Sequence, residues 1–499
     1  MDFATTTWIF CYFLVLLGLS AYGMHRYVMI FLYWKHARHA PKPKTRYEQL
    51  PAITIQLPIF NEQYVVRRLI DAVAKLDYPQ ELLQIQILDD STDETRGISE
   101  EEARKLVAQG FDAEFIHRTD RTGFKAGALE NGMKTAKGEL IYILDADFVP
   151  EPDVLHEMVH YFTDEKVGVV QTRWGHMNKK YSILTRVQAL FLDGHLGVEQ
   201  TARSRSGRFF NFTGTAGIWR KSCIEDAGGW EHDTLTEDLD LSYRAQMKGW
   251  NFIYLKDVVT PAELPPDMNG FKNQQHRWAK GSIQTCLKML GPIWRSDVPI
   301  IIKLEATAHL TANFAYLLLI FLCVLVNPAM HPETGWVRML LLDVPIFFAT
   351  SISVALFYAT AQIAVNPAKW IKEVLYLPVL LALGIGMSIN NGKAVIEALL
   401  GHKSDFVRTP KYGTVKAQSE VWKSKYRALK SIVPAFEVAF FLYFSYLVLD
   451  SLARGNWFSV PFLMLFQIGF FFVAYGSLRQ FLPTFIVGQP DPEDPALGV

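Results

Sequence analysis

The chain has 499 residues, of which 50% are hydrophobic, and its 50 Lys and Arg residues balance 50 Asp and Glu residues. This balance lacks the strongly basic signature of a dedicated nucleic-acid-binding protein, so we expect no nucleic-acid partner. The 4 cysteines have no close spacing, which excludes a zinc motif and a disulfide framework. The length allows two or three domains, one of them with a large core.

The N-terminal region is uncharged over residues 3–24 and stays rich in aromatic residues as far as Trp34. A cleaved signal peptide would have basic residues before such a stretch and a small-residue cleavage site after it, and neither is evident. The sequence therefore predicts an uncleaved transmembrane helix within residues 1–36, which makes the lipid bilayer a partner.

Residues 37–281 have the pattern of an α/β domain. The runs Ala52–Leu57 and Ile85–Leu88 are apolar or alternating, as strands are, and Val65–Leu76 between them has apolar residues at helical spacing. Leu140–Leu144 is a third short strand. This order predicts a doubly wound sheet whose ligands bind outside the carboxyl ends of the strands.

Two acidic motifs follow predicted strands. Asp89 and Asp90 lie in Leu-Asp-Asp-Ser-Thr-Asp-Glu, which is either turn and helix-capping chemistry or a carboxylate that holds a nucleotide. Asp145 and Asp147 lie in Leu-Asp-Ala-Asp, and such carboxylates bind hard divalent cations, here Mg²⁺ or Mn²⁺. Together the two motifs indicate a site for a nucleotide and a metal ion.

Two later motifs each allow two interpretations. Leu-Thr-Glu-Asp-Leu-Asp contains Glu237 and Asp238 and is either a helix start capped by Thr236 or the site of a general base, Asp238, for an acceptor hydroxyl. Gln274–Trp278 reads Gln-Gln-His-Arg-Trp. It fits either an amphipathic helix on a membrane or a platform for a sugar ring and a phosphate.

The C-terminal part contains long apolar stretches of about the length that crosses a bilayer. We expect an interfacial amphipathic helix over 282–300 and a C-terminal tail over 487–499. Glu437 interrupts one stretch and should face protein or a pore rather than lipid. The basic run Arg203–Arg208 is expected to be a solvated turn, with contact to lipid headgroups or a diphosphate as the alternative. The apolar stretches are Ala306–Met330, Val344–Ala368, Val374–Gly392, Ile432–Leu449 and Gly455–Leu478.

The motifs occur in an order that resembles the family 2 processive glycosyltransferases, which include cellulose, hyaluronan and chitin synthases. The resemblance covers about residues 50–415 and begins with Pro-Ile-Phe-Asn-Glu at Pro58–Glu62. It implies a GT-A-type mixed-sheet domain between an N-terminal transmembrane helix and a C-terminal helix bundle. Further runs resemble the plant cellulose synthase-like A and C enzymes, which make β-1,4-mannan or glucomannan and β-1,4-glucan: Gly123–Gly127, Asn131–Lys134, Gln171–Trp174, Phe212–Gly217 and Gly228–Trp230.

On the donor side, the resemblance assigns Asp89 or Asp90 to the nucleotide, with Lys125 nearby. It assigns Asp145 and Asp147 to the nucleotide and to the metal, Mg²⁺ or Mn²⁺. The implied donor is a nucleotide sugar, either GDP-mannose or UDP-glucose.

On the acceptor side, the resemblance makes Asp238 the catalytic base, with Glu237 beside it at the acceptor. Gln274, Arg277 and Trp278 match the channel-entrance motif that binds the diphosphate and the terminal sugar of the growing polysaccharide.

The segment 403–416 resembles the gating loop of cellulose synthases, whose Phe-x-Val-Thr-x-Lys motif closes over the nucleotide. This chain has Arg408 in place of the Val and Pro410 between Thr409 and Lys411. The resemblance assigns Thr409 and Lys411 to the nucleotide. The alternative interpretation is a basic loop that follows the positive-inside rule.

The implied activity is inverting and processive, giving a β-linked mannan, glucomannan or glucan, with a β-1,4 linkage expected, that leaves through the membrane. The expected location is a bacterial inner membrane, with the catalytic domain in the cytoplasm. Two alternatives remain. One is a transferase that adds a single sugar to a membrane lipid, and the other is a solute transporter, which leaves the acidic motifs unexplained.

A cytoplasmic gating loop constrains the topology. We expect two crossings within 301–368, an interfacial or re-entrant segment over 369–402, and two crossings within 417–486. Pro378, Gly384 and Gly386 interrupt the re-entrant candidate. With the N-terminal helix this gives five crossings and a cytoplasmic C-terminus.

Overall fold

The structure is a computed structural model that describes residues 3–329, 348–402, 408, 409, 411–413 and 431–479. Its centre is a 7-stranded sheet in the order β3-β2-β1-β4-β6-β5-β7. β6 runs antiparallel to β4 and β5, whereas the other pairs are parallel. This confirms the expected mixed sheet. The strands are β1 (Ile53–Ile59), β2 (Leu83–Asp89), β3 (Asp112–His117), β4 (Leu140–Ile143), β5 (Val167–His176), β6 (Gly217–Arg220) and β7 (Asn251–Ala262).

Helices cover both faces of the sheet, as a doubly wound fold requires. Val66–Val73 buries Val66, Leu69, Ile70 and Val73 against one face, and Phe124–Met133 buries Leu129 in the cluster on the other. The helices of this domain are Val66–Val73, Thr95–Ala108, Phe124–Met133, Val154–Val159, Ile183–Asp193, Gln200–Arg205, Lys221–Asp226 and Glu237–Met247; Gly194–Glu199 is a π-helical turn.

The register of the parallel strands brings the acidic motifs together. Ile59 of β1 pairs with Asp89 of β2, and Gln56 of β1 pairs with Ile143 of β4. Because parallel strands end at the same edge, the residues that follow β1, β2 and β4 converge there.

The long helix Met268–Arg295 joins this domain to the apolar helices. Asp267 caps it by accepting a hydrogen bond from the backbone N–H of Gly270 at 2.7 Å. The helix continues through the expected domain boundary between 281 and 282, and the interfacial helix expected at 282–300 remains a prediction.

Four helices within the described residues are long and apolar enough to cross a membrane: Thr6–His36, Phe348–Val365, Val433–Ala453 and Val460–Leu478. Two further pairs of helices would pass the same test as bent spans, Ile300–Thr311 with Phe314–Val326 at 55° and Trp370–Gly386 with Ser388–Leu399 at 42°. A bend of this kind fits a broken span or a re-entrant segment, so the five-crossing topology stays a prediction.

Glu437 lies inside the protein, as expected for a carboxylate within an apolar helix. Its side chain is fully buried, and its Oε1 accepts a hydrogen bond from Lys272 Nζ at 2.6 Å. Lys272 belongs to the helix Met268–Arg295, so this ion pair connects the catalytic domain to Val433–Ala453.

The solvated turn expected at Arg203–Arg208 is wrong for Arg203. This residue lies in the helix Gln200–Arg205 and is only 2% exposed. Its guanidinium binds Glu305 at 2.9 Å and Glu199 at 3.3 Å. A buried cation requires such partners, and here they join the domain to the helix Ile300–Thr311.

Candidate active site

The predicted site residues converge on one pocket at the carboxyl edge of the sheet. Asp89 is the exception, since it does not line the pocket. The predicted residues that do are Asp90, Lys125, Asp145, Asp147, Glu237, Asp238, Gln274, Arg277, Trp278, Thr409 and Lys411.

Of the two acids at the end of β2, Asp89 has a structural role in the turn and Asp90 faces the pocket. Asp89 is fully buried, and its Oδ1 accepts a hydrogen bond from the backbone N–H of Ser91 at 2.8 Å, which is turn chemistry. Asp90 lines the pocket and is held by Arg118 through Nε at 2.9 Å and Nη2 at 2.5 Å. The bidentate contact fixes the Asp90 carboxylate at the pocket wall.

Asp145 follows β4 and pairs with Lys125. The Lys125 ammonium donates hydrogen bonds to Asp145 and, at 2.9 Å, to the carbonyl of Gly214. Burial would lower the pKa of Lys125, but the charges of Asp145 and Glu237 outweigh burial and raise it. Lys125 therefore keeps its positive charge inside the pocket.

Asp147 pairs with the segment expected to act as a gating loop. Lys411 Nζ lies 2.6 Å from Asp147 Oδ2, with both side chains largely buried. Asp145 and Asp147 are thus each paired with a lysine.

The donor set of Asp145 and Asp147 fits a divalent cation. Both acids line the pocket, and the side chain of Asp145 remains 36% exposed, so carboxylate oxygens are accessible.

A second acidic cluster, Glu231, Asp233 and Asp240, is close-packed enough to hold a metal. Lys288 Nζ already contacts all three carboxylates, at 2.5, 2.8 and 3.0 Å. The Lys288 ammonium supplies the compensating positive charge, so we assign a structural role to this acidic cluster.

Asp238 sits at the start of the helix Glu237–Met247. Burial and the neighbouring charge of Glu237 raise the pKa of Asp238 to about 7, against the opposing charge of Lys125. A carboxylate with a pKa near neutrality can accept a proton during a reaction.

The loop before β6 closes against Asp238. Gly214 has φ +82°, a left-handed conformation that favours glycine, and a Cβ there would lie 2.9 Å from Asp238 Oδ2. The loop can therefore approach the carboxylate because residue 214 lacks a side chain.

The helix Met268–Arg295 places Gln274, Arg277 and Trp278 in the pocket. Gly281 allows this helix to approach the loop before Asp238, because a Cβ there would lie 2.6 Å from Thr236. Across the same contact, Gln284 Oε1 accepts a hydrogen bond from the backbone N–H of Leu235 at 2.9 Å.

Thr236 precedes the helix as expected but does not cap it with its side chain. Its hydroxyl lies 3.2 Å from that of Thr285 on the helix Met268–Arg295. Thr236 therefore helps to fix the position of Asp238 relative to Arg277 and Trp278.

The described part of the expected gating loop covers residues 408, 409 and 411–413; Phe406 and Pro410 lie outside the described residues. Arg408 Nε is 3.2 Å from Glu62 Oε1, and Tyr412 donates a 3.3 Å hydrogen bond to Asp267. Together with the ion pair between Lys411 and Asp147, these contacts hold the segment against three separate parts of the chain around the pocket.

Among the pocket residues that sequence reasoning missed are Glu62, Arg121 and Trp174. Glu62 ends the motif Pro-Ile-Phe-Asn-Glu, to which the sequence assigns no role. Burial raises the pKa of the Glu62 carboxyl group to about 8, although the positive charge of Arg408 opposes this shift. The Arg121 guanidinium lies 3.3 Å from the centre of the Phe60 ring, a contact between separate segments that no local pattern signals. Trp174 lies in the run Gln171–Trp174, noted only for its resemblance, and its ring centre is 6.5 Å from that of Trp278.

Comparisons with known sequences identify the family to which the chain belongs. A family profile described as "Glycosyltransferase like family 2" matches residues 51–281. Glucomannan 4-beta-mannosyltransferase 1 of Cyamopsis tetragonoloba is 32% identical over 476 residues, covering 91% of this chain and 86% of that enzyme. A probable glucomannan 4-beta-mannosyltransferase 9 of Oryza sativa subsp. japonica is 31% identical, covering 87% of this chain and 82% of that protein. Both relatives come from plants, so they do not support the expected bacterial inner membrane.

A solved structure shares the fold. The mannosyltransferase PcManGT from Pyrobaculum calidifontis, in complex with GDP-Man and Mn²⁺, matches with a TM-score of 0.56 and 21% identity. The match covers 79% of this chain and 100% of that one. The resemblance inferred from the motifs is confirmed: the chain belongs to glycosyltransferase family 2, and its similar relatives are glucomannan 4-beta-mannosyltransferases.

Proposed function

We propose that this protein is an inverting, processive glycosyltransferase that polymerises β-1,4-linked mannan or glucomannan from GDP-mannose. The observation that carries the proposal is the single pocket shared by donor-side acids, Asp238 and the Gln274–Trp278 motif. The two plant relatives are named for a mannosyl transfer of this kind. PcManGT was solved with GDP-Man, which supports GDP-mannose over UDP-glucose as the donor.

The donor binds at the acidic edge of the sheet. Asp90, fixed by Arg118, holds the nucleoside, and Asp145 and Asp147 would hold Mg²⁺ or Mn²⁺. When bound, the cation neutralises the negative charge of the diphosphate leaving group. PcManGT was solved with Mn²⁺, which supports a divalent cation without selecting between the two.

Lys411 is placed to exchange its partner when the donor binds. It moves from Asp147 to the diphosphate, whereas Lys125 stays close to the reacting groups in the pocket that Arg277 also lines. Thr409 is 4% exposed, and its hydroxyl has no partner among the described residues. A phosphate oxygen supplies one.

Asp238 acts as the general base. Its carboxylate accepts the proton of the acceptor hydroxyl while that oxygen attacks the anomeric carbon and the nucleoside diphosphate leaves. A single displacement inverts the α-linked donor to a β-linkage. Arg277 lies close enough to Asp238 for its positive charge to lower the pKa of the Asp238 carboxyl group. From this position Arg277 can stabilise the negative charge of the diphosphate that departs beside the base.

The acceptor binds along the helix Met268–Arg295. Trp278 and Trp174 offer aromatic faces to the sugar ring, and Gln274 and Glu237 offer polar groups to its hydroxyls. The polymer leaves through the apolar helices, so we place the protein in a membrane with its catalytic domain on the cytoplasmic side. In this arrangement residues 37–281 form the transferase domain and 403–416 the gating loop.

A donor assay tests this proposal. Purified full-length protein in detergent is incubated with Mn²⁺ or Mg²⁺ and with radiolabelled GDP-mannose or UDP-glucose in parallel. We expect incorporation of label from GDP-mannose into material that ethanol precipitates. A radiolabelled lipid extracted into organic solvent instead would support the single-sugar transferase, and incorporation from UDP-glucose alone would reject the donor.

A further inference from the structure

One part of the pocket wall is aromatic and apolar. Leu192 and Leu264 form a buried cluster there, and Trp174 and Trp278 pack against it. Such surfaces bind the apolar faces of sugar rings, but a sugar also needs polar partners for its hydroxyls.

His176 supplies a polar ring at this position. It is the last residue of β5 and follows Trp174 by two residues, so both side chains lie on the same face of the strand. His176 lines the pocket, and its Nε2 lies 3.3 Å from Asp193 Oδ1. Within the described part of the chain, Asp193 is the polar partner of this ring.

Asp193 is a buried anion with fixed partners. It is 2% exposed, and its Oδ2 accepts a hydrogen bond from Gln362 Nε2 at 2.9 Å. Burial would raise the pKa of Asp193, but His176, Gln362 and Lys179 outweigh burial and lower it. Asp193 therefore stays ionised and accepts hydrogen bonds at both oxygens.

Two glycines let the helix Ser353–Val365 deliver Gln362 to Asp193. A Cβ at Gly194 would lie 2.7 Å from Phe357 Cε1, and one at Gly197 would lie 2.6 Å from Val365 Cγ2. The close approach of the two segments locks the Gln362–Asp193–His176 chain, and so the orientation of the imidazole ring.

We propose that His176 belongs to the acceptor site and forms, through Nδ1, a hydrogen bond with a hydroxyl of the growing sugar chain. This inference rests on the proposed function and deepens it. Because Nε2–H donates to Asp193, Nδ1 is the ring nitrogen that remains for a sugar hydroxyl. A sugar ring against Trp174 and Trp278 presents its hydroxyls at its edge, and His176 lines the same pocket. Asp193 and Gln362 are positioning residues in this arrangement.

Two substitutions at His176 distinguish the roles of its two ring nitrogens. In His176→Gln the amide reaches the position of Nε2 and keeps the contact with Asp193, whereas in His176→Asn it occupies the position of Nδ1. Full-length variants in detergent are given radiolabelled GDP-mannose, and polymer-bound and free mannose are measured together. His156→Gln, outside the pocket on Val154–Val159, is the matched control.

We expect His176→Gln to lower the ratio of polymer-bound to free mannose about 10-fold, because one acceptor hydrogen bond is lost. His176→Asn should lower it less, and His156→Gln should leave it unchanged. The inference is overturned if His176→Gln keeps the wild-type ratio, if it performs as well as His176→Asn, or if it loses polymer and free mannose equally. Wild-type protein that neither transfers nor releases mannose would instead reject the proposed function.

Discussion

At the scale of single residues, the pocket assigns different tasks to chemically similar acids. Asp90 is fixed by an arginine, Asp145 and Asp147 are neutralised by lysines, and Asp238 is buried beside another carboxylate. Environment rather than residue type separates these roles. The sequence identified every one of these acids, but only the fold shows which partner each one has.

Replacing the proposed base tests its role directly. Asp238→Asn keeps the side-chain shape but removes the proton acceptor, so transfer should fall by about 10²–10⁴-fold. Binding of GDP with Mn²⁺, followed by calorimetry, should stay near the wild-type value. Asp226→Asn, at a partly exposed surface carboxylate that pairs with Lys248, is the control and should remain fully active. Wild-type transfer in Asp238→Asn would remove the assigned base.

The pH dependence of transfer follows from the raised pKa of Asp238. The deprotonated form is active, and it is lost as the pH falls through about 7. The rate at saturating donor should therefore drop about 10-fold between pH 8 and pH 6, because each unit below the pKa removes most of the remaining base. GDP binding at the two pH values controls for donor affinity. A rate that is flat or rising towards pH 6 contradicts the assignment.

At the scale of elements, the strands with local apolar runs were predicted well. The expected runs Ala52–Leu57, Ile85–Leu88 and Leu140–Leu144 correspond to β1, β2 and β4. The antiparallel β6 between β4 and β5 was not predicted, because strand pairing depends on distant segments.

The contacts of the expected gating loop could not be predicted from the sequence for the same reason. Arg408 was noted only as a departure from the family motif, yet it binds Glu62, a residue 346 positions earlier in the chain. Local patterns carry no information about contacts over such separations.

The helix Met268–Arg295 offers a matched pair of tryptophans. Trp278 lines the pocket, whereas Trp294 is 43% exposed near the C-terminal end of the same helix. Trp278→Ala should reduce polymer synthesis more than release of free mannose, since its ring is assigned to the acceptor. Trp294→Ala should affect both products alike or not at all, as measured by chromatography of radiolabelled products. Equal losses of polymer and free mannose in Trp278→Ala would indicate a structural tryptophan.

At the scale of the whole molecule, ion pairs link the transferase domain to the apolar helices. Lys272 binds Glu437, Lys280 binds Glu397 at 3.1 Å, and Arg203 binds Glu305. These pairs are buried or partly buried, so breaking one partner would leave a charge uncompensated. The catalytic pocket is therefore fixed relative to the helices through which we expect the polymer to leave.

The predicted topology can be tested with a single cysteine. Contact of Lys411 with Asp147 places the loop beside the pocket, so the loop and the pocket must lie on the same side of the membrane, which we propose is the cytoplasmic side. A cysteine replacing Ser404, in a variant without the native cysteines, should react with an impermeant thiol reagent from the cytoplasmic side only. A cysteine replacing Ser91, beside Asp90, provides the cytoplasmic reference after denaturation. Labelling of residue 404 from the opposite side would refute the five-crossing topology.

We propose that one pocket polymerises mannose processively into a β-1,4-linked chain. The most direct measurement is the size distribution of radiolabelled product made from GDP-mannose while only a small fraction of the donor has been consumed, before and after digestion with an endo-β-1,4-mannanase. We expect long chains from the earliest times and their conversion to short oligosaccharides by the mannanase. Products that carry a single mannose, or chains that resist the mannanase, would contradict it.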